Sequence, residues 1–305
     1  MAYDTIMVFQ DQFKNHILPD KVHILNVSFL VPELRREYGG CAGNIAYNLK
    51  LLGGDPLILA TVGKDFGPYS QWLSTVGIRQ DYIKVLESSY TAQAYITTDL
   101  DDNQITAFHP GAMSFSADIP IPKDTGAALG LVSPDGKEGM LQHAEAFFAA
   151  GIPFIFDPGQ GMPMFNGEEL LNLTEKATWV TLNDYEAQLM QERTGLSLEA
   201  LAQRVEALIV TQGSKGSLIH TQNRVLEIPS AKPHATVDPT GCGDAYRAGL
   251  VQGLIEGYDL ETAGRMGSLL GAIKVETAGT QNHHIDLPAF KARYRETFGV
   301  SLALS

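Results

Sequence analysis

Short apolar runs alternate with amphipathic segments along most of the chain, and this alternation limits its fold more than any other feature. Runs of strand length stand at Pro56–Val62, Pro153–Phe156, Thr178–Leu182, Ala207–Thr211 and Ser217–His220. Helical periodicity occupies Asn44–Leu52, Tyr69–Val76, Gly139–Ala150, Tyr185–Thr194, Leu198–Leu208, Ala245–Glu256 and Leu260–Thr277, and several of these segments end at a glycine, as C-cap chemistry requires. Strands that alternate with helices pair in parallel and are covered on both faces, so the expected architecture is a three-layer α/β/α sandwich. No internal repeat, low-complexity tract or Pro/Gly/Ser-rich linker interrupts the pattern, and the 305 residues read as a single domain.

Two stretches break the rhythm. Val22–Leu30, and the pair Thr91–Thr98 and Ile105–His109 joined by the polar turn Asp99–Gln104, carry strand and hairpin chemistry. They predict a small β-sheet lid, built from about residues 10–38 and 91–110, at one edge of the main sheet.

Composition narrows the partners. With 22 Lys plus Arg against 35 Asp plus Glu, the formal net charge of −13 opposes nucleic acid and anionic membrane surfaces. The only cysteines, Cys41 and Cys242, cannot supply a disulfide framework. No basic leader precedes an apolar stretch, and no segment reaches the roughly 18 apolar residues of a membrane span, so a cytoplasmic location is expected. Zinc-ligand spacing, G-x-G-x-x-G and G-x-x-x-x-G-K-[ST] are all missing, which leaves a dinucleotide dehydrogenase or a P-loop NTPase without its motif. His283 and His284 read as surface residues, Met162 and Met164 as gap fillers and Trp179 as core.

The chemistry concentrates in Val237–Leu250, VDPTGCGDAYRAGL. A Thr-Gly-Cys-Gly run opening into a helix places the N–H groups of Gly241, Cys242 and Gly243 at the positive end of a helix dipole, an anion hole. Asp244, in the first turn, is near enough to take a proton from a hydroxyl whose attack target those N–H groups hold. Phosphoryl transfer to an alcohol needs that combination. A plain Gly-rich turn with Asp as an N-terminal helix residue is the alternative. Farther upstream, Gly39 and Gly40 permit close approach to the backbone, and Asn44 offers a donor and an acceptor to sugar hydroxyls.

DPTGCGDAYRAGL resembles the C-terminal signature of the ribokinase-like (carbohydrate and nucleoside kinase) family, D-T-x-G-A-G-D, in which the last Asp is the base. Asp238, Thr240, Gly241, Gly243 and Asp244 match, Pro239 stands where Thr is usual, and Cys242 replaces the commoner Ala. Gly39-Gly40-Cys41-Ala42-Gly43-Asn44 is similar to the family's G-G-x-x-x-N, which implies contacts from Gly40 and Asn44 to ribose. Asn183-Asp184-Tyr185-Glu186 fits N-x-x-E, whose carboxylate acts through water on Mg²⁺ and the phosphates; a helix N-cap is the alternative. Thr211, Gly213 and Gly216 match a T-x-G-x-x-G turn at the nucleotide site. Asp4 resembles the family's Asp for vicinal ribose hydroxyls, although only Met1, Ala2 and Tyr3 precede it where the family usually has a whole strand.

The resemblance implies ATP and Mg²⁺ as cofactors, a monovalent cation such as K⁺ at Asp238, and a lid through which two chains can pair. GGCAGNIAYNL is more similar to bacterial adenosine and nucleoside kinases than to sugar kinases, which carry a Lys after the glycine pair. Phe108 and His109 on the lid hairpin add aromatic surface for stacking a purine; Phe108 packing the lid onto the body is the alternative. The expected activity is an adenosine kinase that phosphorylates the 5′-hydroxyl, with a ribokinase or related sugar kinase, or a non-catalytic nucleoside-binding protein, as competing readings.

Overall fold

The computed structural model describes residues 1–17, 26–101, 103–122 and 125–302. In chain order its strands are β1 (Ala2–Val8), β2 (Glu33–Gly39), β3 (Ala60–Gly63), β4 (Ile83–Leu86), β5 (Ala92–Thr98), β6 (Gln104–His109), β7 (Gly130–Val132), β8 (Phe154–Phe156), β9 (Trp179–Asn183), β10 (Ala207–Thr211), β11 (Ser217–His220) and β12 (Val225–Ile228). The α-helices are α1 (Cys41–Leu51), α2 (Gly67–Thr75), α3 (Lys137–Ala150), α4 (Gly167–Lys176), α5 (Asp184–Thr194), α6 (Leu198–Ala202), α7 (Cys242–Ile255), α8 (Leu260–Val275) and α9 (Leu287–Phe298).

The main sheet has six strands in the order β12-β11-β10-β9-β8-β7. β7 to β10 run parallel, and β11 and β12 extend the sheet by antiparallel hairpins. Both faces are buried, because strand side chains alternate and each side finds its own helices. Phe154, Phe156, Leu208 and Val210 pack with Met140 of α3, Leu170 of α4 and Met190 of α5. Ile155, Ala207 and Ile209 pack on the opposite side with Leu250 of α7 and Ala263 of α8. That is the three-layer α/β/α sandwich expected from the alternation.

A separate four-stranded sheet has the order β2-β1-β5-β6, and β3 pairs with β4 in a small parallel pair. β1 is antiparallel to β2 and parallel to β5, while β5 and β6 form the expected hairpin. The composition of this sheet departs from the sequence reading. Residues 22–25 of the anticipated strand Val22–Leu30 lie outside the described residues, and Asn26–Leu30 forms no strand. The strand that pairs with β1 is instead Glu33–Gly39, ELRREYG, most of it exposed. An edge strand gains its stability from the ladder and needs no apolar run, so charge concealed it. Asp4 likewise lies inside β1 rather than after a completed strand.

Other expectations needed trimming. The helix read over Leu198–Leu208 ends at Ala202, because Ala207 already starts β10. Only Ala60–Gly63 of the Pro56–Val62 neighbourhood forms a strand, with an isolated bridge from Leu57 to Arg79. α4 and α9 were not read from periodicity, yet their caps were on view: Asn166 and Glu169 form a capping box, and Asp286 caps α9 ahead of Pro288. His283, read as surface, is buried and its ring meets Asn48 Oδ1 at 2.8 Å. Met162 is buried as expected, whereas Met164 is exposed. Among the described residues no helix is long and apolar enough to cross a membrane.

Candidate active site

Functional groups gather at the carboxyl ends of the parallel strands, where open α/β sheets bind ligands. Ser133 follows β7, Asp157 follows β8, Asn183 ends β9 and Thr211 ends β10, with Asn183 and Thr211 in register. The turn from Thr211 to β11 closes by Gln212 N–H donating to Gly216 O at 2.8 Å, with Gly213 and Gly216 at positive φ.

α7 starts at the same edge. Gly241, its N-cap, holds φ 78°, a left-handed conformation that favours glycine. Among the described residues the N–H groups of Gly241, Gly243 and Asp244 have no acceptor, while Cys242 N–H donates to Pro239 O at 3.1 Å. The anion-hole set read from sequence therefore changes by one member: Cys242 closes the turn, and the amide of Asp244 is available in its place. Burial pushes the Cys242 thiol up to about 11, so it is protonated at neutral pH and offers no nucleophile.

Asp244 is held from two directions. Asn44 Nδ2 donates to Asp244 Oδ2 at 2.8 Å, and Asn44 Oδ1 accepts from Gln281 Nε2 at 3.0 Å. Gln281 also meets Tyr69 Oη at 2.6 Å and accepts from Trp72 Nε1 at 2.9 Å. Asn44, expected to grip ribose, is thus buried and already engaged with Asp244. Desolvation raises the Asp244 pKa to about 6, offset in part by the Asn44 hydrogen bond and by the positive charge of Arg247. Asp4 is also pushed up to about 6, by burial first and then by the charges of Asp244 and Glu37. Its carboxylate lies against Gly39, where any Cβ would come within 2.4 Å of Asp4 Oδ2. The glycine pair therefore makes room for Asp4 as well as opening a turn; Gly40, at φ 80°, caps α1.

Register aligns a second pair of candidates. Glu37 pairs with Asp4, Asp4 with Ala94 and Ala94 with Phe108, so the four residues form one row on one face of the sheet. Phe108 is 52% exposed, which leaves part of its side chain open to solvent.

Sequence reasoning missed the hub of the site. Arg247, one turn after Gly243, is buried; its Nη2 donates to Asp157 Oδ1 at 2.6 Å, its Nε lies 2.5 Å from Asp157 Oδ2, and its Nη1 donates to Gly243 O at 3.1 Å. Glu186 Oε2 stands 4.0 Å from Nη2. Burial would lower the Arg247 pKa, but Asp157, with Asp244 and Glu186, raises it above its usual value. Arg247 and Asp157 each carried a signal: a lone cation in the apolar run AYRAGL, and an acid directly after the strand FIF. Glu186 completes the capping box of α5, accepting from Asn183 N at 2.8 Å and Asn183 Nδ2 at 2.9 Å. The N-cap alternative for this motif is therefore present, and burial raises the Glu186 pKa. Asp238 Oδ1 and Oδ2 accept from Thr240 N at 2.9 Å and Gly279 N at 2.8 Å.

A Cβ at position 243 would come within 2.9 Å of Arg247 Nη1, so a side chain there presses on a guanidinium already tied to Asp157. Gly243→Val is expected to lower turnover by about 10²–10³, the usual loss when an oxyanion donor is displaced. Cys242→Ala should keep full turnover. Steady-state kinetics of the two variants decide the matter, and the reverse pattern would point to thiol chemistry.

The pfkB family carbohydrate kinase model matches residues 4–286. A nucleoside kinase of Methanocaldococcus jannaschii is 35% identical over 260 residues, 85% of this chain and 85% of the relative. The solved structure of a Burkholderia thailandensis nucleoside kinase in complex with inosine is 47% identical, with a TM-score of 0.90 over 98% of this chain and 96% of that one. A second structure of that enzyme, in complex with ADP-inosine, is 48% identical with a TM-score of 0.88 over 100% and 96%. With the buried Asp244 carboxylate, the amide-lined loop and the three-layer sheet already in place, these likenesses lead to one conclusion: the chain belongs to the pfkB family of carbohydrate kinases and is a phosphotransferase acting on a hydroxyl group.

Proposed function

We propose that the protein is an ATP-dependent nucleoside kinase that transfers the γ-phosphate to the 5′-hydroxyl of a purine nucleoside. The row Glu37–Asp4–Ala94–Phe108 carries this reading. Phe108 lies two strand spacings from Asp4, about 9–10 Å. A carboxylate for ribose hydroxyls and an exposed ring for a base, on one face at that separation, match the two ends of a nucleoside. The four-stranded sheet then serves as the lid of a single domain. Adenosine, the acceptor favoured by the glycine-pair segment, and inosine, bound by the Burkholderia relative, are the leading acceptors.

In this mechanism Asp4 binds and orients the sugar, and Asp244 takes the proton of the attacking hydroxyl. The amides of Gly241, Gly243 and Asp244 hold the charge of the transferring group, and Arg247 keeps Asp157, Glu186 and the loop carbonyl of Gly243 in one arrangement. ATP lies along the carboxyl edge near Asn183, Thr211, Gly213 and Gly216. No cluster of three or more His, Cys, Asp or Glu among the described residues could ligate a metal directly. Glu186, with its oxygens already engaged by Asn183, fits a hydrated Mg²⁺ held through that ion's own waters. When bound with ATP, Mg²⁺ neutralises phosphate charge.

An acceptor panel of adenosine, inosine, guanosine, cytidine, ribose and fructose 6-phosphate, assayed by ADP release with ATP and Mg²⁺, tests the proposal. Purine nucleosides should give the highest kcat/KM, and Phe108→Ala should raise their KM roughly tenfold with little change for ribose, the loss of one stacking contact. Highest kcat/KM for ribose or fructose 6-phosphate would overturn the nucleoside assignment.

A further inference from the structure

Lys274, near the end of α8, is fully buried and takes no part in the mechanism above. Its ammonium donates to Asp238 O at 2.7 Å and to Thr277 O at 3.3 Å, and lies 3.9 Å from Asp238 Oδ2. Two backbone carbonyls and a carboxylate converging on one point form the oxygen cage that a monovalent cation would take. Here the point is already filled by a side-chain cation. The surrounding polar groups have other partners: the Asp238 oxygens accept from Thr240 N and Gly279 N, and Val275 O accepts from Val237 N at 2.8 Å and Asp238 N at 3.1 Å. The residues at Asp238 therefore do not fit a K⁺ ion, in contrast to the expectation from the family resemblance.

We propose that the Lys274 ammonium is a built-in replacement for a monovalent cation, a positioning residue that fixes the loop from Asp238 to Gly241 and makes the enzyme independent of K⁺. The cage ties three segments together. Asp238 leads into Gly241 and the amides at the start of α7, Thr277 continues from α8, and Gly279 precedes Thr280, whose hydroxyl donates to Tyr38 O of β2 at 2.7 Å. A positive charge at the crossing point holds the amide loop, the end of α8 and the sheet that carries Asp4 in one geometry. Burial lowers the Lys274 pKa, and the charge of Asp238 offsets that shift only in part.

The proposal rests on phosphoryl transfer at the Asp244 loop, and the test separates the two. In choline buffers free of K⁺, wild-type turnover should match that in K⁺ within about twofold. Lys274→Ala should lose at least about tenfold in kcat in choline and recover most of it with K⁺ or methylammonium, which refill the cage. Thermal melting without substrates supplies a readout independent of catalysis: K⁺ should raise the melting temperature of Lys274→Ala by roughly 2–4 °C and leave the wild type unchanged. Lys274→Met, which keeps the volume without the charge, should lose kcat as Lys274→Ala does but gain neither turnover nor melting temperature from K⁺, and its kcat in choline decides the matter if the alanine variant is insoluble. Strong activation of the wild type by K⁺, or variants with wild-type kcat in choline and no K⁺-dependent melting, would overturn the proposal. A wild type inactive on every acceptor but showing the melting pattern would instead overturn the kinase reading alone.

Discussion

Asp244→Asn is expected to lower turnover by about 10²–10⁴, the range for loss of a general base, while nucleoside binding stays close to that of the wild type. The substitution keeps the shape of the side chain and a hydrogen-bonding partner for Asn44 but removes the proton acceptor. The wild-type pH profile follows from the raised pKa. A base must be ionised, so kcat/KM should climb as pH passes about 6 and level off above it. Asp4→Asn removes the neighbouring negative charge, so that limb should move to lower pH, with weaker nucleoside binding. Stability has the opposite sign. Between the ordinary carboxylate value of 3.8 and about 6 the folded state binds more protons at Asp244 than the unfolded state does, so its contribution declines as pH rises through that window. A kinetic pH series on the wild type and the two variants measures the first three effects, and urea unfolding over the same pH range measures the fourth. Near-normal turnover in Asp244→Asn would remove Asp244 from the mechanism.

Arg247→Met is expected to damage both fold and catalysis. It leaves Asp157, 2% exposed, without its counter-charge, and breaking a buried ion pair from one side costs about 3–5 kcal/mol. Ser133 Oγ, which donates to Asp157 Oδ2 at 3.0 Å, is too little to offset that loss. Turnover should fall as well, because Arg247 also draws the Asp244 pKa downward and holds the Gly243 carbonyl. Adding Asp157→Leu removes the orphaned charge, so the double variant should regain most of the stability but little of the turnover. Urea unfolding midpoints beside kcat values distinguish the two contributions. Equal stability of the wild type and Arg247→Met would mean that the pair is not a keystone of the sheet edge.

The legible parts of the site were local ones. Gly241, Gly243 and Asp244 are chain neighbours, and a glycine run entering a helix specifies exposed amides and a nearby acid without any distant contact. Asn183 and Glu186 were legible for the same reason, since an i, i+3 pair at a helix start is a capping box by its spacing. β8, β9, β10 and β11 were visible because a strand buried on both faces is apolar throughout. β2 was not, since an exposed edge strand carries no such run. The contact between Cys242 N–H and Pro239 O lay below the resolution of a motif, which names residues but not turn hydrogen bonds.

The three-layer class, the candidate base with its loop, and the family were all legible along the chain, because each depends on periodicity or on residues within one turn of another. How the Asp244 carboxylate is held and charged depends on contacts between distant parts of the chain. Asn44 reaches Asp244 across 200 positions, Asp157 reaches Arg247 across 90, and Lys274 meets Asp238 across 36. Tertiary structure also decided that Phe108 shares a face with Asp4, through pairings of strands far apart in the chain. Such contacts are selected by how helices and strands pack together and by the requirement that every buried charge find a partner, and neither condition is written in any single stretch of residues.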